Sequence, residues 1–359
     1  MIRNIAFLTG SMSKSGGTTK AVSLIASELA KEPEYCVYIV DLFNFEKKPY
    51  FDIAGNVSYS TLNGGSVLKN ISLLRRYILK KKINVIICVE AMMGIYSMPA
   101  ALFTKTKQII WEHGNFYQKQ CSSIDKVRAL EYKLCDYYIT LTERDKSNFI
   151  SHFKGKCKTD YIYNPVEYSS ERASYDLASK KLLTVGIIRK IKGYDMLCDA
   201  ARIIFDAHPD WTWEIYGRDD FEPETTAELK EKISRLKLDK NLFLMGTTHD
   251  MPSVYKSAAI YVMTSRMEGL PMVLLEAKSF GLPLISFDIM TGPSEIISND
   301  VNGYLVEEEN TSELAAHICE LIDNPQKRIE FSNNAKSGIE RFSIEVIMNK
   351  WMKIIGELI

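Results

Sequence analysis

The sequence has few cysteines and no long apolar run. Its seven cysteines are scattered over positions 36, 88, 121, 135, 157, 198 and 319. Their number is odd and none forms a Cys-x-x-Cys pair, which argues against a disulfide framework and against a zinc site and favours a reducing cytoplasm. About 18 uninterrupted apolar residues are needed to cross a bilayer, and the N-terminal apolar run is too short for a signal peptide. We therefore predict a cytoplasmic protein that does not span a membrane.

Net charge is also lacking, but the two halves differ in sign. Residues 1–160 hold 23 Lys and Arg against 14 Asp and Glu, a net charge of +9, which the remaining residues offset with −9. A basic first half could contact an anionic membrane from the inner face, since each Lys or Arg near such a surface contributes about 1 kcal/mol. The alternative is that the two halves simply attract each other.

Part of this positive charge lies in a helical pattern at residues 66–82. The cations of its second half are Arg75, Arg76, Lys80, Lys81 and Lys82. Interfacial helices have this composition, and so do ordinary solvated helices. The stretch lacks the aromatic spacing of a nucleic-acid surface, so no nucleic-acid partner is predicted.

The chain of 359 residues, 46% hydrophobic and 25% charged, is of a length for two ordinary domains of roughly 100 to 200 residues each. Short apolar runs alternate with helical patterns from residue 4 to residue 160, and the alternation restarts at residue 181. Residues 161–166 read as a last strand running into a linker. This order predicts an α/β protein with two doubly wound parallel sheets. We place the domains at 1–165 and 166–343, followed by a terminal helix at 344–359.

Two carboxylates eight positions apart mark the second domain. Glu268 lies in a turn after an apolar run, and Glu276 lies on the helix that follows. Free N-H groups at a helix start suit a phosphate, whereas carboxylates accept hydrogen bonds from hydroxyls. A ligand with sugar hydroxyls around a diphosphate would satisfy both groups. The same spacing also occurs in an amphipathic helix with a surface Glu near each end.

The sequence around these carboxylates resembles the donor-binding half of the family 4 retaining glycosyltransferases, and bacterial surface-polysaccharide enzymes in particular. The motifs are Ser265-Arg-Met-Glu-Gly-Leu-Pro, Glu276-Ala, Gly281-Leu-Pro-Leu-Ile, Gly292-Pro-Ser-Glu-Ile-Ile and Asn302-Gly-Tyr-Leu-Val. The resemblance implies the GT-B fold, with two Rossmann-like domains facing a central cleft. It assigns the acceptor to the first domain and the nucleotide-sugar donor to the second, with the terminal helix crossing back to the first.

The resemblance assigns roles to individual residues of the second domain. Glu276 would bind the ribose hydroxyls and Glu268 the sugar hydroxyls. Gly269 and Leu270 belong to the donor-binding turn, and the backbone near Gly246 would lie by the base.

A cation for the leaving diphosphate comes from the loop after the first strand of this domain. Lys192-Gly193 matches the Lys-Gly pair of the family, whose Arg usually follows the Gly at position 186 directly. Ile187 stands there instead, so Arg189 or Lys190 is the expected substitute from a shifted position of the loop. Cations are needed because cleavage of a glycosyl phosphate bond builds negative charge on the diphosphate. A helix start with a solvated Lys would give the same Lys-Gly pair.

In the first domain, Gly16-Gly17-Thr18 fails the spacing of the Walker A and dinucleotide-binding motifs. It resembles the Gly-rich turn after the first strand of GT-B enzymes, where bare backbone approaches the substrates. It is also an ordinary strand-to-helix turn capped by Thr18 or Thr19.

His113 directly follows a predicted strand, which places it at the sheet edge where open α/β sheets bind ligands. Family members carry a similar Glu-His pair, with the His facing the transferred sugar. A structural histidine is the alternative.

These features predict a hexosyltransferase that takes a nucleotide sugar, by family preference a UDP-sugar, and a saccharide or lipid-diphosphate-linked saccharide acceptor. His113, Glu268 and Lys192 are the candidate catalytic residues. The sequence has no Asp-x-Asp motif and no metal-ligand cluster, so no metal or other cofactor is expected. A GT-B nucleotide-sugar epimerase and a catalytically degenerate GT-B binding protein are the alternatives.

Overall fold

The structure is a computed structural model that describes residues 2–14, 16–44, 46, 48–117, 122–153, 155, 157–167 and 175–359. The chain forms two compact units. Residues 1–165 and 344–359 belong to unit 1, and residues 166–343 to unit 2.

Unit 1 contains a seven-stranded parallel sheet in the order β3-β2-β1-β4-β5-β6-β7. Its strands are β1 Arg3–Thr9, β2 Tyr35–Asp41, β3 Ser58–Thr61, β4 Val85–Val89, β5 Lys107–Trp111, β6 Tyr137–Thr140 and β7 Lys158–Tyr161. Its first helices are α1 Gly17–Leu29, α2 Val67–Lys81, α3 Gly94–Ala101, α4 Ser122–Leu134 and α5 Glu143–His152. All five residues of β4 are buried, because helices cover both faces of such a sheet.

Unit 2 contains a six-stranded parallel sheet in the order β10-β9-β8-β11-β12-β13. Its strands are β8 Lys181–Val185, β9 Thr212–Tyr216, β10 Leu242–Gly246, β11 Ile260–Met263, β12 Leu284–Phe287 and β13 Gly303–Val306. Its helices are α6 Tyr194–Ala207, α7 Pro223–Arg235, α8 Met251–Lys256, α9 Met272–Ser279, α10 Thr311–Asp323 and α11 Pro325–Ala335. The prediction of two doubly wound parallel α/β domains is confirmed.

The terminal helix α12, Ile344–Leu358, belongs to unit 1. It carries Trp351, whose ring lies 5.0 Å from that of Trp111 at the end of β5. Both indoles are fully buried. The helix therefore completes the core of the unit whose first 165 residues precede it.

One predicted strand is misplaced. Residues 161–166 were read as a last strand running into a linker, but that strand, β7, begins earlier, at Lys158, and ends at Tyr161. Ile162, Tyr163 and Val166 are buried beyond the end of β7, where the Ile162 N-H still donates to the Thr140 carbonyl of β6 over 2.9 Å. Their apolar pattern reflects burial of the connecting segment, and Pro165 has no N-H group to donate to a sheet.

Candidate functional site

Unit 2 has a point at which the direction of strand connection reverses, between β8 and β11. Ligands of open α/β sheets bind at the carboxyl ends of the strands beside such a point. Lys192 follows β8 and Glu268 follows β11. The structure brings them together, with Lys192 Nζ 2.6 Å from Glu268 Oε1 and with both side chains only 24% and 14% exposed. Two residues predicted from separate motifs thus form one ion pair at the expected edge.

The loop that carries Lys192 has a fixed shape. A 3-10 turn, Lys190–Lys192, ends at Gly193 with φ +67°. A Cβ on Gly193 would lie 2.0 Å from the Thr264 carbonyl oxygen, so only glycine fits. The Thr264 hydroxyl donates to the Lys192 carbonyl over 3.0 Å. The loops after β8 and β11 are therefore locked together at the position of the ion pair.

Arg266 is a residue of this site to which the sequence assigned no role. Its guanidinium donates to both carboxylate oxygens of Asp195, over 2.8 and 2.7 Å, and to the Lys190 carbonyl over 2.9 Å. These hydrogen bonds lower the pKa of Asp195. Arg266 thus holds the turn that presents Lys192. The sequence offered one signal for this role: Arg266 lies two residues before Glu268 in the same motif.

The turn with Gly269 and Leu270 leads into α9. The Thr291 hydroxyl donates to the Glu268 carbonyl over 2.8 Å, and Leu270 is buried beneath the turn. Among the described residues no side chain caps the start of α9. Its first-turn N-H groups can therefore hydrogen-bond an anion.

Glu276 lies one turn into α9. Its Oε2 accepts a hydrogen bond from the Tyr255 hydroxyl over 2.9 Å. Burial raises the pKa of Tyr255 well above its usual value, and the charge of Glu276 adds to this. Burial likewise raises the pKa of Tyr261, with smaller contributions from Glu276 and Glu268. Both carboxylates therefore act electrostatically on Tyr261.

Three glycines follow one another along the same edge, at the ends of β8, β9 and β10. The Gly217 N-H donates to the Gly246 carbonyl over 2.8 Å. A Cβ on Gly217 would lie 1.8 Å from the Gly186 carbonyl oxygen, whereas one on Gly246, which has φ +69°, would meet no atom within 4 Å. The edge near Gly246 therefore exposes backbone with open space beside it, which leaves room for a flat aromatic ring of a ligand. Gly217 was missed by the sequence analysis.

Arg189 points elsewhere. Its Nε donates to Glu222 Oε1 over 2.9 Å, and its guanidinium lies 4.7 Å above the centre of the Phe221 ring. In the structure Arg189 therefore pairs with Glu222 and not with Glu268 or Glu276, the two carboxylates of the predicted donor site. Its role at the diphosphate stays a prediction.

In unit 1 the connection reverses between β1 and β4. Gly16 caps and Gly17 begins α1, the first helix after β1, and the Thr19 hydroxyl donates to the Gly16 carbonyl over 2.9 Å. Buried Asp41 accepts from the Met12 N-H over 2.8 Å and from the Tyr59 hydroxyl over 2.5 Å. Asp41 thereby holds the chain that leads into the glycine turn.

His113 lies in the loop after β5, with its ring 4.3 Å from that of Trp111. Among the described residues, its buried Nε2 has no hydrogen-bond partner. Burial lowers the pKa of His113 to about 3, so the ring is neutral at pH 7. Below it, buried Glu112 accepts from Arg128 Nε over 2.9 Å and from the Gly114 N-H over 3.0 Å. This ion pair fixes the loop and leaves His113 with an unused polar atom.

Glu90 is a second candidate that sequence reasoning missed. It follows β4 at the point of reversal and adopts φ +71°, a value that side chains other than glycine rarely take. Its side chain is exposed. Glu90 was missed because no sequence pattern predicts a positive φ at a glutamate.

The buried carboxyl of Glu131, on α4 of unit 1, predicts how the stability of the protein depends on pH. Burial, and then the charge of Glu112, raise the pKa of Glu131 from 4.5 to about 8, so the native carboxyl holds a proton that the unfolded chain loses above pH 4.5. The free energy of unfolding should therefore fall as pH rises from about 4.5 to 8. Urea unfolding at pH 5.5, 7 and 8.5 should show this loss in the wild type and not in Glu131→Gln. Equal pH dependence in the two proteins would mean that Glu131 is ionised in the native state.

No group of His, Cys, Asp or Glu that could hold a metal ion is found in the described part of the chain. None of the helices formed by the described residues is long and apolar enough to cross a bilayer.

The family model described as glycosyl transferases group 1 matches residues 169–338. An uncharacterized glycosyltransferase of Haemophilus influenzae is 27% identical over 366 residues, covering 99% of this chain and all of the relative. The amylovoran biosynthesis glycosyltransferase AmsD of Erwinia amylovora is 28% identical, covering 98% and 99%. A GalNAc-α-(1→4)-GalNAc-α-(1→3)-diNAcBac-PP-undecaprenol α-1,4-N-acetyl-D-galactosaminyltransferase of Campylobacter jejuni is 26% identical, covering 99% and 98%.

Solved structures agree on the fold. TarM of S. aureus, in complex with Fondaparinux, α-GlcNAc-glycerol and UDP, superimposes with a TM-score of 0.83 at 16% identity, covering 99% of this chain and 100% of the other. HepE of Anabaena, in complex with UDP and glucose, gives 0.82 at 19% identity with the same coverage. The chain therefore has the GT-B fold, as the resemblance implied.

Proposed function

We propose that this chain, whose residues 169–338 match the group 1 glycosyl transferases, is a member of that family that moves a sugar from a UDP-sugar to a saccharide acceptor with retention of anomeric configuration. The observation that carries the proposal is the Lys192–Glu268 pair at the reversal point of unit 2. A cation and a hydroxyl acceptor side by side match the junction between a diphosphate and its sugar.

The donor would lie along the edge of unit 2. Lys192 and the start of α9 stabilise the charge that grows on the leaving diphosphate. Glu268 accepts hydrogen bonds from the sugar, Glu276 from the ribose, and the base lies against the bare backbone near Gly246. The leaving phosphate takes the proton of the acceptor hydroxyl as the new glycosidic bond forms, so neither a protein base nor a metal ion is required. UDP is the favoured nucleotide because TarM and HepE both bind it.

The acceptor would be a lipid-diphosphate-linked saccharide at the inner face of the cytoplasmic membrane, in the assembly of a surface polysaccharide. Two relatives support this placement. AmsD is named for amylovoran biosynthesis, and the Campylobacter enzyme is named for a saccharide on undecaprenyl diphosphate.

An exposed apolar surface on unit 1 fits contact with anionic lipid. Leu68 and Leu79 on α2 are 80% and 54% exposed, and Leu102 and Phe103 after α3 are 55% and 93% exposed. Arg75 joins the two parts, since its Nη1 donates to the Leu102 carbonyl over 2.7 Å. Apolar tips with cations around them insert at a lipid surface, where anionic headgroups neutralise the charge.

Two of the five cations at positions 75–82 already have other contacts. Arg75 bonds the end of α3, and Lys81 Nζ lies 5.4 Å above the Tyr38 ring. Arg76, Lys80 and Lys82 are exposed. These three, together with Leu102 and Phe103, form the proposed docking surface.

The triple variant Arg76→Gln, Lys80→Gln, Lys82→Gln should reduce sedimentation with anionic vesicles, and Phe103→Ser should reduce it further. Binding should weaken with salt, because the Debye length shrinks from about 10 Å at 0.1 M to about 3 Å at 1 M. A triple variant of Arg235, Lys240 and Lys256 to Gln in unit 2 removes equal charge and should bind normally. If the wild type ignores anionic vesicles at low salt, or if Phe103→Ser instead dissociates a dimer, the surface is not a membrane surface.

The proposed activity is tested by UDP release from UDP-sugars with and without lipid-linked saccharides. A transferase releases UDP mainly when an acceptor is present. An epimerase would convert the donor without any acceptor, and a degenerate binding protein would be stabilised by UDP without releasing it. A thermal-shift panel of nucleoside diphosphates would identify the base, since a ligand at 100 times its Kd stabilises by about 2.7 kcal/mol.

A further inference from the structure

The edge of unit 1 contains a carboxylate that neither the family motifs nor the relatives assign. We propose that Glu90 accepts a hydrogen bond from a hydroxyl group of the acceptor saccharide and thereby helps to select the acceptor. This inference rests on the proposed transferase function. It concerns the acceptor side of the reaction, whereas the residues of unit 2 concern the donor.

The backbone at Glu90 is strained. Its φ of +71° lies in the left-handed region, where a Cβ crowds the following carbonyl. The Glu90 N-H donates to the Trp111 carbonyl over 2.9 Å, which ties the residue to the end of β5. Glycine would adopt this conformation without cost, so a glutamate here indicates that its side chain is used.

The position of Glu90 is the one at which a doubly wound sheet binds its ligand. Glu90 is the first residue after β4. The neighbouring strand β1 lies on the other side of the reversal point. The Thr18 side chain, at the start of α1, stabilises the charged form of the Glu90 carboxyl and so lowers its pKa. Glu112, next to His113 after β5, acts on it electrostatically. Glu90 therefore lies between the two predicted substrate-facing features of unit 1.

The chemistry of the side chain restricts its partner. An ionised carboxylate only accepts hydrogen bonds, and the Glu90 side chain is exposed to an incoming ligand. Desolvation, and then the charge of Glu112, raise the pKa of Glu90. A second anion would be repelled, whereas a neutral hydroxyl would be attracted. A sugar hydroxyl is therefore the group that fits, and a phosphate is not.

Glu90→Gly separates a binding role from a structural one. We expect the variant to melt at the wild-type temperature or above it, because the strain is relieved, and to raise the KM for the acceptor by at least about 10-fold, the loss of one hydrogen bond to a charged group. The UDP affinity should stay unchanged. Glu90→Gln keeps the size and should give a smaller rise in KM.

The probes are a UDP-sugar panel and polyprenyl-diphosphate-linked saccharides. A lower melting temperature with an unchanged acceptor KM would make Glu90 a structural residue and overturn the inference. Transfer by the wild type together with an unchanged KM in Glu90→Gly would overturn this inference alone. If the wild type binds no UDP and transfers to no saccharide, the proposed function itself fails.

Discussion

Lys192→Ala should slow sugar transfer by about 10²-fold or more, which is the usual loss when one preorganised charge stabiliser is removed. The ammonium group is already held by the locked loops after β8 and β11, with its Nζ 2.6 Å from Glu268. The negative charge that develops on the leaving diphosphate is therefore stabilised by a Lys192 ammonium group that is already in place. Initial rates at saturating donor and acceptor measure the loss, and thermal melting confirms that the variant is folded.

Arg189→Ala is the matched control from the same loop. Its guanidinium is paired with Glu222 and lies over the Phe221 ring, so its removal should cost much less rate. Lys192→Arg keeps the charge and should retain more activity than Lys192→Ala. If Arg189→Ala slows transfer more than Lys192→Ala does, Arg189 and not Lys192 is the cation that binds the diphosphate.

Much of unit 2 could be predicted because its signals are local. The apolar runs of β8 and β11 and the Lys-Gly and Glu-Gly-Leu-Pro motifs each lie within a few residues of one another. Parallel strands bring their carboxyl ends to one edge, so the motifs had to meet there. Lys192 and Glu268 are 76 positions apart and yet paired.

Other features depend on partners that no local pattern reveals. The edge strand β3, Ser58–Thr61, is polar and exists through its pairing with β2. Arg189 pairs with Glu222, 33 positions away, and Glu112 pairs with Arg128 on α4. The strain at Glu90 is set by the pairing of β4 with β5. Tertiary contacts decided each of these features.

The two carboxylates of unit 2 should differ in what their loss removes. Glu276→Ala should weaken UDP binding by about 10-fold or more in calorimetric titration, the usual loss of a hydrogen bond to a charged group, because Glu276 is assigned to the ribose. Glu268→Gln should lower turnover while UDP affinity stays equal or rises, since the amide no longer competes with the diphosphate for Lys192.

A control is needed because Glu276 also accepts from the buried Tyr255 hydroxyl. Glu276→Ala would leave that hydroxyl unpaired, and a disturbed fold could mimic lost affinity. Tyr255→Phe removes the same hydrogen bond but keeps the carboxylate, so it should bind UDP much more tightly than Glu276→Ala. Equal UDP affinity in the wild type and Glu276→Ala would rule out the ribose assignment. Equal weakening in Tyr255→Phe and Glu276→Ala would show that Glu276 acts through the packing around α9 and not through the nucleotide.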